Sequence, residues 1–182
     1  QIRPWLLQDE SVLELLAIVK REDFVPQHLK SLAFADLAIP LLGSSDEALA
    51  LGQCMLEPRL EARMLQDLAV QPTETVLEIG AGSGYMAALL GKKARSVVSL
   101  EMVPELAAMA RANLTKAGIQ NVEVREADGS QFKGADGSFD VIALSGSVTE
   151  VPDALLKLLK VGGRLGAFVG DEPVMRATVV TR

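Results

Sequence analysis

The chain has 182 residues, of which 49% are hydrophobic and 23% are charged, and its formal net charge is -6. This is the composition of a globular protein, and the length is enough for one α/β domain with a sizeable core. The apolar runs are too short to span a membrane, and no dense Lys/Arg cluster forms the basic patch typical of nucleic-acid binders. We therefore expect neither a membrane nor a nucleic acid as a partner. The single cysteine, Cys54, permits no internal disulfide, which favours a reducing cytoplasm.

Residues 1–72 are predicted to form a helical extension on the substrate side of the molecule. An amphipathic helix is predicted over residues 9–20, because apolar residues recur at helical spacing and Asp9 or Ser11 can cap its start. The segments that follow are predicted to be a short helix over 27–34, an extended segment over 38–43, a polar turn over Ser44–Glu47, and a helix over 58–69 that begins at Pro58.

Residues 73–182 change to an alternation of strands and helices. Strands are predicted near 75–79, 96–101, 122–126, 139–144, 163–169 and 176–181, and helices near 83–92, 103–117 and 151–160. Such alternation implies a doubly wound, mostly parallel sheet that helices cover on both faces. We therefore predict an α/β, Rossmann-like core that forms one compact unit. In such sheets a ligand binds beyond the carboxyl ends of the strands, where the chain order reverses.

A glycine-rich turn follows the first predicted strand of this core. Gly80, Gly82 and Gly84 come directly after the apolar run Val76–Ile79, and glycines there allow a sharp turn and close approach of a ligand to the backbone. The next strand ends in Glu101, and an acid at that place can accept hydrogen bonds from ribose hydroxyls. The sequence therefore predicts a cofactor that carries a nucleoside.

The glycine spacing indicates which cofactor this is. A dinucleotide fingerprint needs a glycine where this chain has Tyr85, and nothing else indicates a pyrophosphate site. The pattern Glu78-x-Gly80-x-Gly82-x-Gly84 instead resembles the first motif of the S-adenosylmethionine-dependent methyltransferases. An acid before the glycines suits a cofactor with a cationic amino group better than one with phosphates. The alternative is a glycine-rich turn that binds nothing.

A third acidic position follows the predicted strand 122–126. Asp128-Gly129 could simply make a turn, but in methyltransferases an acid at this place commonly faces the adenine, and the resemblance gives Asp128 that role. Met102 is a candidate for packing on the adenine, with an ordinary core position as the alternative. The candidate residues for S-adenosylmethionine are Glu78, Gly80, Gly82, Ser83, Gly84, Glu101, Met102, Asp128 and Gly129.

Further motifs extend the resemblance along the chain. From about Val12 to Arg182 the sequence resembles a divergent member of the protein-L-isoaspartate (D-aspartate) O-methyltransferase family. The similar segments are Arg21-Glu-Asp-Phe-Val-Pro26, Phe34-Ala-Asp-Leu-Ala-Ile-Pro-Leu-Leu42, Val76-Leu-Glu-Ile-Gly-Ala-Gly-Ser-Gly-Tyr85, Asp128-Gly129, Phe139-Asp140, Val151-Pro152, Gly162-Gly-Arg-Leu165 and Val169-Gly170.

This resemblance implies methyl transfer from S-adenosylmethionine to the side-path carboxylate of isoaspartyl residues in damaged proteins. Such a displacement needs alignment of the reacting atoms and exclusion of water. A strong base is unnecessary, because a carboxylate is ionised at neutral pH. The lack of a Ser/His/Asp constellation and of any metal-binding pattern is consistent with this reaction.

The substrate-side segments depart from the family pattern. Where the family has a loop of the form G-Q-T-I-S-x-P, this chain has Gly52-Gln-Cys-Met-Leu-Glu-Pro58, in which Gln53 is kept but Cys54 replaces threonine and Leu56 replaces serine. The resemblance places that serine hydroxyl beside the reacting carboxylate, and leucine offers no hydrogen bond. After the fourth strand of the core, Leu144-Ser-Gly-Ser-Val148 replaces a T-A-A-P stretch. The substrate-side candidates are Gln53, Leu56, Ser145 and Ser147.

Three hypotheses follow from an intact cofactor side and an altered substrate side. The chain is an isoaspartyl methyltransferase that takes its hydroxyl from Ser145 or Ser147, or a methyltransferase of the same lineage with another acceptor. In the third hypothesis it is a non-catalytic module that binds S-adenosylmethionine. We also expect either a further strand or a partner chain, such as a second copy in a homodimer, to cover the sheet edge at 176–181. Because residue 1 is not methionine, we expect an incomplete or processed N-terminus.

Overall fold

The computed structural model describes residues 7–171 and 174–182. Its helices are α1 (Glu10–Ile18), α2 (Ser45–Ala50), α3 (Pro58–Leu68), α4 (Tyr85–Lys93), α5 (Pro104–Lys116) and α6 (Asp153–Leu158). Its strands are β1 (Ile39–Pro40), β2 (Cys54–Met55), β3 (Thr75–Ile79), β4 (Ser96–Glu101), β5 (Val122–Glu126), β6 (Phe139–Val148), β7 (Leu159–Asp171) and β8 (Val174–Thr181). Short 3-10 turns lie at Arg21–Asp23, Gln27–Leu32 and Gly129–Gln131.

The main sheet has six strands in the order β5-β4-β3-β6-β7-β8. All neighbours are parallel except β7 and β8, which pair antiparallel. Chain order reverses between β3 and β6, so the carboxyl ends of these two strands border the crevice where a ligand binds in such sheets. The predicted doubly wound, mostly parallel sheet is confirmed.

Two hydrophobic clusters cover the two faces of this sheet. Val76 of β3 packs into a cluster with α3, α4 and α5, whereas its neighbour Leu77 packs into a second cluster with α6. The larger cluster also contains Val12 and Leu15 of α1, so the N-terminal extension shares a core with the sheet. The boundary at residue 72 stays a prediction.

The sequence predicts a polar turn over Ser44–Glu47, but the structure has a helix there. The segment is the start of α2, where the Ser44 hydroxyl accepts a hydrogen bond from the Glu47 backbone N–H at 3.4 Å and donates one to Glu47 Oε2 at 3.0 Å. Serine followed three residues later by glutamate is a capping sequence. The prediction was wrong because the short helix behind this cap buries only Ala48, which leaves little apolar periodicity to detect.

The predicted boundaries near β6 and β7 also need correction. β6 continues past residue 144 to Val148, so Ser145 and Ser147 lie within a strand and not after it. Its pairing with β7 shifts after Ala143. Ala143 pairs with Gly166, and the next pair is Ser147 with Phe168, so β6 runs four positions where β7 runs two. Such a bulge re-aims side chains at a strand end, and period-two patterns do not reveal it. The helix predicted over 151–160 ends at Leu158, where β7 begins.

Arg164 ties together the other end of the sheet. Its guanidinium donates hydrogen bonds to the Leu68 carbonyl at 2.6 Å, the Ala69 carbonyl at 3.1 Å, and Glu74 Oε1 at 2.7 Å. These bonds hold the end of α3 against β7, and the bond from Arg164 lowers the pKa of Glu74.

Among the described residues, no helix is both long and apolar enough to cross a membrane.

Candidate active site

The segment Gly80–Gly84 forms a loop that crosses the end of β4. The backbone N–H groups of Gly80 and Ala81 donate to the Leu100 carbonyl at 2.8 and 3.1 Å. Gly80, Gly82 and Gly84 have φ values of 93°, 51° and 85°, a region that other residues enter at a cost. The loop conformation therefore depends on these glycines.

Glu101 joins this loop to the end of β4. Its Oε2 accepts a hydrogen bond from the Gly82 N–H at 2.9 Å, and its Oε1 accepts one from the Val103 N–H at 3.0 Å. Each carboxylate oxygen can accept a second hydrogen bond, so the group keeps capacity for a ligand. Glu101 is thus both a clamp on the glycine loop and a wall of the neighbouring cavity.

That cavity lies at the carboxyl ends of β3, β4 and β6 and has a volume of about 260 Å³. Its lining includes these residues predicted from the sequence: Gln53, Gly80, Gly82, Glu101, Met102, Asp128, Gly129, Ser145 and Ser147. Met102 is 67% exposed, so it is not an ordinary core residue. Four other candidates, Leu56, Glu78, Ser83 and Gly84, are not part of this lining.

Glu78 lies beneath the glycine loop with no solvent exposure. Its Oε2 accepts a hydrogen bond from the Ser99 hydroxyl, and its Oε1 accepts one from the Ser145 hydroxyl at 2.8 Å. Burial raises the pKa of Glu78 to about 7, although both serine hydroxyls oppose this shift. Direct contact between Glu78 and a cofactor stays a prediction, because the structure gives both its oxygens protein partners.

Gly84 and Gly129 are required by close packing near the cavity. A Cβ on Gly84 would lie 3.1 Å from the Ala110 Cα, so this glycine lets α4 begin against α5. A Cβ on Gly129 would collide with the Ile79 side chain. Both residues therefore shape the site, whatever else they contact.

Asp128 lies at the mouth of the cavity, next to Gly129. Its Oδ1 accepts hydrogen bonds from the backbone N–H and the hydroxyl of Ser130, at 2.9 and 2.7 Å, and its Oδ2 accepts one from Gln131 at 3.1 Å. The hydrogen bond from the Ser130 hydroxyl is the main cause that lowers the pKa of Asp128. The carboxylate therefore stays ionised, and these hydrogen bonds fix its position in the cavity lining.

Residues Gly52–Pro58, which the sequence predicts to border the substrate, are called the acceptor loop here. Within it, β2 pairs antiparallel with β1, which places Cys54 opposite Pro40. Gln53 and Cys54 line the large cavity. Leu56 instead lines a smaller chamber of about 20 Å³, together with Ser83 and with Cys54, which borders both spaces. The chamber has room for about one water molecule.

Sequence reasoning missed the buried pair formed by Arg21 and Glu61, which are 3% and 5% exposed. Burial raises the pKa of Glu61 to about 7, although the Arg21 guanidinium opposes the shift. A signal was present, because Glu61 shares a helical face with the apolar residues Met64, Leu65 and Leu68. An acid on such a face indicates a buried cationic partner.

The cavity's chemistry fits S-adenosylmethionine. Two carboxylates, Glu101 and Asp128, line it, and none of the lining residues is Lys or Arg. A negatively charged wall suits a sulfonium and an ammonium group and disfavours the phosphates of a dinucleotide. Gly80 and Gly82 present bare backbone to the same space, where a ligand can approach closely. The fold and site together define a class I S-adenosylmethionine-dependent methyltransferase.

Comparisons with known proteins identify the family. The family model described as protein-L-isoaspartate(D-aspartate) O-methyltransferase matches residues 2–181. A protein-L-isoaspartate O-methyltransferase of Koribacter versatilis is 38% identical over 182 residues, which cover 100% of this chain and 78% of the relative. Another, of Myxococcus xanthus, is 42% identical over 164 residues, which cover 90% of this chain and 74% of the relative. The chain belongs to the protein-L-isoaspartate (D-aspartate) O-methyltransferase family.

A solved structure supports the same fold. The crystal structure of a Plasmodium falciparum protein described as a protein-L-isoaspartate O-methyltransferase, in complex with S-adenosyl-L-homocysteine, superposes with a TM-score of 0.76. Its sequence identity is 20%, and the match covers 96% of this chain and 83% of that one. At this identity the likeness concerns the fold. The methyltransferase class, its use of S-adenosylmethionine and the family are thus confirmed, whereas the role of each site residue stays a prediction.

Substitution of Glu101 tests the cofactor site. Glu101→Ala should weaken binding of S-adenosylhomocysteine by about 10- to 100-fold, because hydrogen bonds to a buried carboxylate are lost. Glu126→Ala is the matched control, because Glu126 is the register partner of Glu101 on β5 but is exposed and does not line the cavity. Calorimetric titration measures both affinities. Equal affinities in the two variants would contradict the assignment.

The pH dependence of stability tests the protonation of Glu78. Its pKa is 4.5 for the free side chain and about 7 in the folded protein, so between these values the folded state holds a proton that the unfolded state has lost. Stability therefore falls as the pH rises from about 4.5 through 7, by no more than about 3 kcal/mol for this group.

Glu78→Gln should make this fall smaller, because glutamine keeps the hydrogen bonds of the neutral acid and cannot ionise. Thermal unfolding of both proteins between about pH 5 and pH 8 measures the difference. Glu61, whose pKa burial also raises to about 7, adds a fall of its own in both proteins, and this fall is smaller in the variant because the Glu78 charge contributes to the shift. Parallel curves for wild type and variant would show that Glu78 is ionised throughout.

Proposed function

We propose that this chain methylates the side-path carboxylate of isoaspartyl residues in damaged proteins, with S-adenosylmethionine as the methyl donor. The observation that carries the proposal is the position of the acceptor loop. Gln53 and Cys54 of this loop line the same cavity as Glu101 and Asp128. A carboxylate presented at the loop would therefore lie next to a donor bound at the ends of β3 and β4.

The proposed reaction is a displacement at carbon. A carboxylate oxygen of the acceptor forms a bond to the methyl carbon, and the bond from that carbon to sulfur breaks, with its electron pair left on sulfur. No proton moves in this step, so the chain needs no general base. A backbone amide nitrogen of the acceptor then loses its proton and attacks the ester carbonyl, and methanol leaves. The succinimide so formed takes up water and opens in part to normal aspartate.

The chain contributes alignment and exclusion of water. In this proposal Glu101 accepts hydrogen bonds from ribose hydroxyls and Asp128 and Met102 border the adenine, which is supported by the position of all three residues in the lining of one cavity. Bound donor supplies an electrophilic methyl group on a positively charged sulfur. The carboxylates of Glu101 and Asp128 stabilise this positive charge before the reaction, and the charge disappears as the methyl group leaves. Their attraction therefore does not speed the transfer, and the rate gain comes from orientation of the reacting atoms.

The two serine candidates for the missing hydroxyl have different surroundings. Ser145 borders both cavities, but its hydroxyl donates to Glu78 Oε1 at 2.8 Å. Ser147 is exposed, lines the large cavity, and its hydroxyl has no hydrogen-bond partner within residues 7–171 and 174–182. We propose that Ser147, and not Ser145, is the hydroxyl available to the substrate carboxylate.

A second candidate function is methyl transfer to another acceptor. It is favoured by Leu56, because a buried polar group of an isoaspartyl substrate left without a hydrogen bond costs about 1–3 kcal/mol. A non-catalytic module that binds S-adenosylmethionine is the third possibility. A cytoplasmic location, the absence of nucleic-acid and membrane partners, and a homodimer remain predictions from the sequence.

Assays with an isoaspartyl peptide and its aspartyl counterpart test the proposal. We expect wild-type turnover of the isoaspartyl peptide alone. Leu56→Ser should raise kcat/KM by about tenfold, because one hydrogen bond to a charged group contributes about 1.5 kcal/mol. Leu56→Ala is the matched control that removes the leucine bulk without adding a hydroxyl.

Ser147→Ala should lower the same kcat/KM by about tenfold, and should do so less in the Leu56→Ser background. Binding of S-adenosylhomocysteine without turnover of the isoaspartyl peptide would point to another acceptor. Failure of the folded protein to bind either S-adenosylmethionine or S-adenosylhomocysteine would overturn the methyltransferase assignment as well.

A further inference from the structure

The guanidinium of Arg21 makes polar contacts with three separate segments of the chain. Its Nε donates to the Ala33 carbonyl at 2.8 Å, its Nη2 donates to the Leu56 carbonyl at 2.6 Å, and its Nη1 contacts Glu61 Oε2 on α3. Five fixed donors in one plane allow an arginine to make such a junction, which a lysine cannot reproduce. Of these three partners, Leu56 belongs to the acceptor loop.

The same guanidinium also contacts the cofactor side. Its central carbon lies 5.1 Å from the centre of the Tyr85 ring, and that ring packs against Phe24 at 5.4 Å between centroids. Tyr85 is the first residue of α4 and directly follows Gly84, the last residue of the glycine loop. Arg21 therefore lies between the acceptor loop and the loop that borders the donor site.

Backbone contacts hold the acceptor loop on both sides, and the Gln53 N–H also donates to the Ala48 carbonyl at 2.7 Å. On one side of it, the two residues of β2 pair with β1, and the Gln53 carbonyl accepts from the Leu41 N–H at 2.9 Å. On the other side, the hydrogen bond from Arg21 to the Leu56 carbonyl fixes the backbone before Pro58 begins α3. Gln53 and Cys54, which line the large cavity, belong to the first of these anchors, and Leu56 forms the second.

We infer that Arg21 is a positioning residue for the methyl acceptor: by holding the Leu56 carbonyl against Glu61 and Tyr85, it sets the position of the acceptor loop relative to the donor site. The inference deepens the proposed function, and its kinetic test rests on that function. A purely structural role for the buried pair is the competing explanation. The two explanations predict different kinetics for a variant that lacks the guanidinium but has regained its stability.

Three variants separate positioning from stability. Arg21→Met leaves Glu61 buried without its cation and should lower the melting temperature by about 10 °C. Adding Glu61→Leu removes the unpaired acid and should recover much of that loss, because apolar residues often replace a buried ion pair without penalty. Arg164→Met is the matched control, because it removes a guanidinium that also bonds one carboxylate and two carbonyls, at the other end of the sheet.

The kinetic expectation follows from the position of the Leu56 carbonyl. Both Arg21→Met and the double variant should raise KM for the isoaspartyl peptide by about tenfold or more, while the affinity for S-adenosylhomocysteine changes by less than about threefold. Arg164→Met should lower the melting temperature and leave this KM unchanged. Recovery of KM together with the melting temperature in the double variant would show that Arg21 is only structural.

Cys54 gives a second readout that does not depend on the acceptor. It is the single cysteine of the chain, is partly buried, and lies in β2, two residues before the Leu56 carbonyl that Arg21 holds. Its alkylation by iodoacetamide should become at least about tenfold faster in Arg21→Met and in the double variant, and stay at the wild-type rate in Arg164→Met. Burial raises the pKa of Cys54 and the Glu61 carboxylate adds to this shift, so Arg21→Met, which keeps Glu61, shows that the acceleration does not come from loss of that charge.

This pair of readouts keeps the inference distinct from the proposed function. If wild type does not turn over the isoaspartyl peptide, the proposed function fails, and the alkylation rates alone decide the role of Arg21. Faster alkylation in both Arg21→Met and the double variant supports the inference in that case. An unchanged rate overturns it, whatever the enzyme methylates.

Discussion

The glycine loop at the end of β3 is the constraint on which the rest of the site depends. Two of its N–H groups donate to the Leu100 carbonyl and a third donates to Glu101, so the loop and the end of β4 fix each other. A side chain at Gly84 would press on the Ala110 backbone, which makes the distance between α4 and α5 part of the same constraint. The sheet order then brings the neighbouring strand ends to the same cavity. The donor site is thus a property of the fold as much as of its lining residues.

Beneath the loop, Glu78 links three adjacent strands through side chains. Its own strand is β3, Ser99 lies on β4 and Ser145 lies on β6, and both hydroxyls donate to its carboxylate. Ser145 also lines the cavity, so this row connects the buried interior of the sheet with the cavity wall. Burial favours the neutral acid, and the hydroxyls favour the ionised one. The two effects leave the pKa of Glu78 at about 7, so its protonation, and with it the stability of the fold, changes with pH near neutrality.

The donor side could be predicted from the sequence because its geometry is local. A strand, a glycine turn and an acid at the next strand end occur in that order in the chain, and the parallel sheet brings them together without further information. The pair of Arg21 and Glu61 could not be predicted in the same way, since its members are 40 residues apart and meet only through packing of the N-terminal segment on α3. The bulge in β6 was hidden for another reason. A strand continues through it, but the pairing shifts, and single-chain periodicity carries no information on pairing.

The two halves of the site are attached to the protein by different means. The donor half is built into strand ends and glycines, where most substitutions would disturb the whole sheet. The proposed acceptor half is a short loop held through its backbone by pairing with β1 and by the Arg21 guanidinium, and the side chains of Cys54 and Leu56 take no part in these hydrogen bonds. Evolution can therefore exchange these side chains with little effect on folding or on the methyl donor. A lineage with this architecture can explore new acceptors one residue at a time while each intermediate protein keeps its donor and its fold.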